Sequence, residues 1–330
     1  MSGRVLVTGG LGFIGSAFVR ALAADGQAVL NVDADTYAGD ERRLADVGRG
    51  LAETVRIDVS GEGLADIVRA ERPPLVVHFA AETHVTRSED DGDTFFRTNV
   101  DGTRKVLDAA VAAGVERVVH ISTDEIYGPC PADPFREDQK LPGEGLATSA
   151  YARSKALADD LARSYADRLA VVIARPTNCI GPWQHPEKAI PRWATRALRG
   201  ERLPVWGDGM QIRDWMFVDD AVSGLLVLAE RGEAGTAYNL GPAGDAVPNV
   251  EIARMVARAA GAGEDAVYLS AYDRPQHDRR YAVSTDRVAA LGWAATRTLQ
   301  DAVAETVAWY RDHAGWWQTL VPEAERLYAD

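Results

Sequence analysis

The chain has 330 residues, 46% hydrophobic and 26% charged, a length for about two domains and a mix that excludes disorder, collagen-like repeats and disulfide scaffolds. A formal net charge of −13 argues against a nucleic-acid partner, so an anionic ligand has to be met by local cations. Cys130 and Cys179 are the only cysteines and the six histidines show no ligand spacing, so no metal is expected. No apolar run is long enough to span a bilayer, and Met1-Ser2-Gly3-Arg4 runs straight into Val5-Leu6-Val7 without room for a signal peptide. A cytoplasmic protein with no membrane partner is the expectation.

Strands are predicted over 4–8, 28–33, 54–57, 75–79, 117–122 and 170–175, with helices over 13–24, 64–72, 94–113 and 149–167. This alternation predicts an α/β fold, a Rossmann-like, doubly wound parallel sheet covered by helices on both faces. After Pro176 the prolines at 182, 186, 191 and 204 break the chain into short pieces, which predicts a smaller C-terminal α/β substrate domain. A helix over 219–230 and a strand over 236–240 could return to the main sheet, and a last helix covers 299–312. The expected division is a dinucleotide-binding domain over 1–175 with returning segments near 219–241, interleaved with a substrate-binding region over 176–330.

Thr8-Gly9-Gly10-Leu11-Gly12-Phe13-Ile14-Gly15 follows the first strand and opens the first helix. Gly10, Gly12 and Gly15 fit one dinucleotide-binding spacing, while Gly9, Gly12 and Gly15 fit a wider one. Side chains there would hold a pyrophosphate away from the helix N–H groups at Phe13 and Ile14. Asp33, at the end of the second strand, can accept both hydroxyls of an adenosine ribose and repel a 2′-phosphate, which favours NAD over NADP. Asp58 and Val59, at the end of the third, are candidate adenine contacts.

Tyr151 and Lys155 lie four apart on a predicted helix and share a face. A lysine beside a phenol stabilises phenolate, so the pair predicts a tyrosine pKa lowered toward neutrality. Thr123-Asp124-Glu125 follows the fifth strand. Two adjacent carboxylates in opposite protonation states suit an elimination, one taking a carbon-bound proton and the other protonating the departing hydroxyl.

The glycine loop, Ile121-Ser122-Thr123 and Tyr151/Lys155 resemble the extended short-chain dehydrogenase/reductase superfamily acting on nucleotide sugars. His78 to Val85, Ser122 to Glu125, Pro186-Glu187-Lys188 and Arg274 to Tyr281 resemble, within it, the dTDP-glucose 4,6-dehydratase family of NAD-dependent epimerases/dehydratases. The resemblance implies Thr123, Asp124, Glu125, Tyr151 and Lys155 as catalytic residues, and Ala80, Ala81 and Asn99 as further NAD contacts. It implies conversion of dTDP-glucose to dTDP-4-keto-6-deoxyglucose by C4 oxidation, loss of water across C5 and C6, and C6 reduction. Asn178, Glu187, Lys188, Trp206, Arg213, Asn249, Arg274 and His277 would hold the nucleotide diphosphate sugar, and a homodimer would form through two helices per subunit, 94–113 and 149–167.

The chain departs from the family pattern at Ala34-Asp35, Thr86, Cys179-Ile180 and Gln276. A UDP-sugar 4,6-dehydratase, a 4-epimerase, a uronate decarboxylase and a non-catalytic dinucleotide sensor therefore stay open as alternatives.

Overall fold

The computed structural model describes residues 3–130, 133–139, 149–242, 247–271 and 278–328. Its strands are β1 Val5–Thr8, β2 Val29–Asp33, β3 Ala52–Arg56, β4 Leu75–His78, β5 Arg117–Ile121, β6 Ala170–Pro176, β7 Asn178–Ile180, β8 Leu203–Trp206, β9 Ile212–Arg213, β10 Trp215–Phe217, β11 Ala237–Leu240, β12 Val247–Pro248 and β13 Val267–Ser270. Seven of them form one parallel sheet in the order β11-β6-β5-β4-β1-β2-β3. The order reverses between β1 and β4, and a crevice opens at the carboxyl ends of strands around such a reversal.

Successive side chains on a strand face opposite ways, so near-continuous apolar runs supply two cores. Val7, Val77 and Val119 pack on one face with Phe18, Leu22 and Leu225 from covering helices. Leu6, Val76 and Val118 pack on the other with Leu64, Val68 and Leu107.

The predicted strand 236–240 is β11, which joins the sheet beside β6, and the helix ahead of it runs Val218–Arg231. The predicted helix 149–167 is shorter, Ala150–Arg163, capped where Ser149 accepts from Ala152 N at 3.1 Å. The predicted helix 94–113 begins at Gly92–Phe96, widens into a π-turn over Arg97–Gly102 and resumes as Thr103–Ala113.

Beyond residue 176 the chain is more regular than its prolines suggest. Helices Ala189–Leu198 and Asn249–Ala260 pack with Leu299–Asp312 around a third core containing Ile190, Trp193, Ile252, Val303 and Val307. Pro191 is tolerated because it sits in the first turn, where its missing N–H has no intrahelical acceptor. Among the described residues, no helix is long and apolar enough to cross a membrane.

Candidate active site

A cavity of about 470 Å³ lies along the carboxyl ends of the sheet, a size suited to a small-molecule site. Gly9 turns the chain at φ 75°, and a Cβ there would come within 2.6 Å of Ala80 N. A Cβ on Gly15 would come within 2.2 Å of Gly9 O, so only a bare backbone lets the helix Phe13–Ala24 start this close to β1. Gly12 caps that helix without a side-chain bond, and an added Cβ would meet only Gly9 O, at 3.2 Å. A helix N-terminus therefore opens onto the cavity, an arrangement that fits a pyrophosphate. Of the two overlapping glycine spacings, Gly9, Gly12 and Gly15 line the cavity, whereas Gly10 packs on Asn31 and donates its N–H to Asn31 Oδ1 at 2.8 Å.

Asp33 accepts from Leu11 N and from Asp35 N, each at 2.9 Å, which aims its carboxylate into the cavity while burial raises its pKa. Phe13, Ile14, Asp58, Val59, Ala80 and Ala81 line the same end. Asn99 does not. Its amide accepts from Glu82 N at 2.8 Å and donates to Glu82 O at 3.0 Å and Ser154 Oγ at 2.9 Å, so it buttresses the wall from behind.

Thr123 caps the short 3-10 turn Asp124–Tyr127 and donates its hydroxyl to Asp124 Oδ1 at 3.3 Å. Asp124 is 2% exposed, and burial with the neighbouring charges of Glu125 and Asp214 pushes its pKa up to about 8, against Arg213 and Thr123. It is therefore mostly protonated at neutral pH. Glu125 beside it also lines the cavity and is only partly buried.

Tyr151 and Lys155 both turn inward from the helix Ala150–Arg163 and reach the cavity. The expected lowering of the tyrosine pKa is corrected by the structure. Burial and the charges of Glu125 and Asp124 raise it well above the usual phenol range, while a hydrogen bond with Thr123 opposes them. Lys155 donates to Ile121 O at 2.6 Å, and burial lowers its own pKa to about 8.

A buried ionic cluster holds these groups in place. Arg175 on β6 pairs with Asp159 through Nε (2.9 Å) and Nη2 (2.8 Å), and donates through Nη1 to Tyr127 Oη (2.5 Å). Tyr127 in turn donates to Asn239 Oδ1 on β11 at 2.8 Å. The helix of Tyr151, the turn of Asp124 and two strands are thus tied through one guanidinium.

Asn178, Glu187, Lys188, Trp206, Arg213 and Asn249 line the far end of the cavity. Arg213 donates to Asp278 O at 2.8 Å and lies over the Tyr281 ring at 4.3 Å. Asn178 Oδ1 and Asn249 Oδ1 are buried with no hydrogen-bond partner among the described residues, as groups awaiting a ligand donor would be. Arg274, Gln276 and His277 lie outside the described residues.

Several lining residues escaped the sequence reading. Tyr37 donates to Glu187 Oε1 at 3.3 Å, Arg87 stacks on the Tyr37 ring at 3.8 Å, and Tyr328 brings its ring within 5.5 Å of Trp206. Asp214, near Asp124, has its own pKa raised to about 6 by burial. Only Tyr37, four residues past Asp33, had a local signal. Among the described residues no cluster of metal-ligating side chains occurs.

The sequence pattern of the NAD dependent epimerase/dehydratase family matches residues 5–241. A dTDP-glucose 4,6-dehydratase of Streptomyces griseus is 42% identical over 98% of both chains. The structure of DesIV, a dTDP-glucose 4,6-dehydratase of Streptomyces venezuelae solved with NAD bound, superposes with a TM-score of 0.90 at 40% identity, covering 96% of this chain and 99% of that one. A UDP-glucose 4-epimerase of Thermus thermophilus in complex with NAD follows at 31% identity and a TM-score of 0.84, covering 94% and 99%. With a glycine loop, a ribose-facing acid and an inward Tyr/Lys pair on one doubly wound sheet, the chain belongs to the NAD dependent epimerase/dehydratase family.

Proposed function

We propose that the protein is an NAD-dependent dTDP-glucose 4,6-dehydratase that yields dTDP-4-keto-6-deoxyglucose. The observation that carries this reading is Asp124, buried and mostly protonated, next to Glu125 in the same cavity as Tyr151. A 4-epimerase has no use for an acid and a base side by side, since its ketone only has to turn over and be reduced again.

Gly9, Gly12 and Gly15 make room for the cofactor pyrophosphate, and Asp33 takes the adenosine ribose hydroxyls. Asp58, Val59, Ala80 and Ala81 form the adjoining wall, and Lys155 holds the nicotinamide ribose. NAD, when bound, supplies the oxidising equivalent at C4 and returns it at C6, and its cationic ring adds positive charge beside the buried phenol. Tyr151 Oη, steadied by Thr123, takes the C4 hydroxyl proton. The ketone then acidifies C5–H, which Glu125 removes. Asp124 gives its proton to the C6 oxygen, which leaves as water.

Arg213 meets the diphosphate with Asn178 and Asn249, and Glu187, Lys188 and Trp206 surround the base. Residues 1–175 with 219–241 serve the cofactor, and the remainder of 176–330 serves the nucleotide sugar. The working form is a cytoplasmic homodimer paired through helices 94–113 and 149–167, where Leu157 is 42% exposed. Sedimentation at half the monomer-pair mass would remove that pairing.

Separate incubations with dTDP-glucose and UDP-glucose, read by product mass, test the assignment. Loss of one water from the dTDP-sugar is expected. An isomer of unchanged mass, or dehydration of the UDP-sugar alone, contradicts it.

A further inference from the structure

Arg43 lies on the short 3-10 turn Glu41–Leu44 and is 2% exposed. Its guanidinium donates to backbone carbonyls of three separate segments. Nη1 reaches Leu11 O and Ala38 O, both at 2.6 Å, and Nε reaches Trp183 O at 3.0 Å. The Trp316 ring lies 5.6 Å from its Cζ, and burial brings its pKa only down to about 10, so it stays a cation at neutral pH.

Each carbonyl belongs to a stretch that shapes one end of the cavity. Leu11 stands between Gly9 and Gly12, and its N–H is the donor that orients Asp33. Ala38 lies on the loop that follows Asp33 and lines the cavity itself. Trp183 adopts a left-handed backbone at φ 69°, which a bulky side chain disfavours, and it begins the run leading to Glu187 and Lys188. With three of its five N–H donors committed to carbonyls, Arg43 is ill placed to serve as a phosphate ligand. It is also held from behind, since Arg20 donates to Arg43 O at 2.9 Å and Trp316 donates to Asp40 Oδ2 at 2.7 Å.

We propose that Arg43 is a positioning residue that couples the two ends of the cavity. Filling the glycine loop steadies Leu11 and Ala38, and the shared guanidinium transmits this to the Trp183 carbonyl and so to Glu187 and Lys188. The inference rests on the cofactor and nucleotide-sugar ends assigned above. A planar fork is required, because a lysine ammonium is a single point that cannot span three carbonyls in this layout.

The test uses the enzyme purified with its NAD and measures NAD release with and without saturating dTDP, which binds without reacting. Linkage makes such coupling reciprocal, and it commonly amounts to about 5–150-fold. In the wild type, dTDP is expected to slow NAD release on the order of tenfold. In Arg43→Lys, that ratio falls to within about twofold of unity. A purely structural role would speed release equally in both conditions and leave the ratio unchanged, which overturns the proposal. Wild-type release that ignores dTDP, despite saturable quenching of tryptophan fluorescence by dTDP, overturns it without any variant. No quenching at all refutes instead the substrate reading on which the inference stands.

Discussion

Asp124→Asn separates the two consequences of burying an acid in this cavity. The replacement keeps shape and neutrality but has no proton to give, so water loss should fall by about 10²–10⁴-fold, the usual worth of a general acid. Stability should move the other way. A carboxyl that ionises near pH 8 when folded and near its ordinary value of about 3.9 when unfolded costs roughly 4 kcal/mol at pH 7, at about 1.4 kcal/mol per tenfold in proton affinity. Because the folded pKa is the higher one, this group's favourable contribution is complete below about pH 4 and is lost as the pH rises to about 8. Urea unfolding of both proteins across that window is the assay, with product mass followed in parallel. The variant should be the more stable at pH 8 by about 1–4 kcal/mol, the spread reflecting the amide's lost bond from Thr123. The gap should close toward pH 4. A stability difference that does not change with pH, or undiminished water loss, would refute the reasoning.

Tyr151→Phe should leave substrate binding intact but prevent any reduction of bound NAD, a change visible by absorbance; normal reduction would displace Tyr151 as the C4 base. With Glu125→Gln, C4 oxidation should persist while deuterium from solvent no longer enters at C5; undiminished C5 exchange would assign that proton elsewhere. Gly15→Ala forces a Cβ against Gly9 O, so the protein should lose about 1–3 kcal/mol of stability and purify without NAD. Retention of NAD at wild-type stoichiometry would contradict the close-approach argument.

The parts of the site that one element supplies were readable from the chain. Gly9 to Gly15 form a single turn, Asp33 ends a strand, and Tyr151 and Lys155 sit one helical turn apart, so spacing alone placed them. Contacts between distant segments were not. Arg43 meets Trp183 across 140 residues and Tyr37 meets Glu187 across 150, and an arginine among 32 carries no local sign of such a role. The tyrosine pKa was misjudged because spacing shows that Lys155 is near but not that its ammonium is taken by Ile121 O, nor that the phenol is buried beside acids. Prolines misled in the second half for a related reason, since Pro191 marks a helix start rather than a break. The seven-stranded order was legible only as a class, because β11 joins β6 from 60 residues downstream.

The central claim is that C4 oxidation, loss of water and C6 reduction occur in one closed cycle around Tyr151, Asp124 and Glu125. Its most direct test is dTDP-glucose carrying deuterium at C4, with the product examined by mass and NMR. The label is expected at C6 of a product lighter by one water. Deuterium found back at C4 with no loss of water, or washed out into solvent, would contradict it.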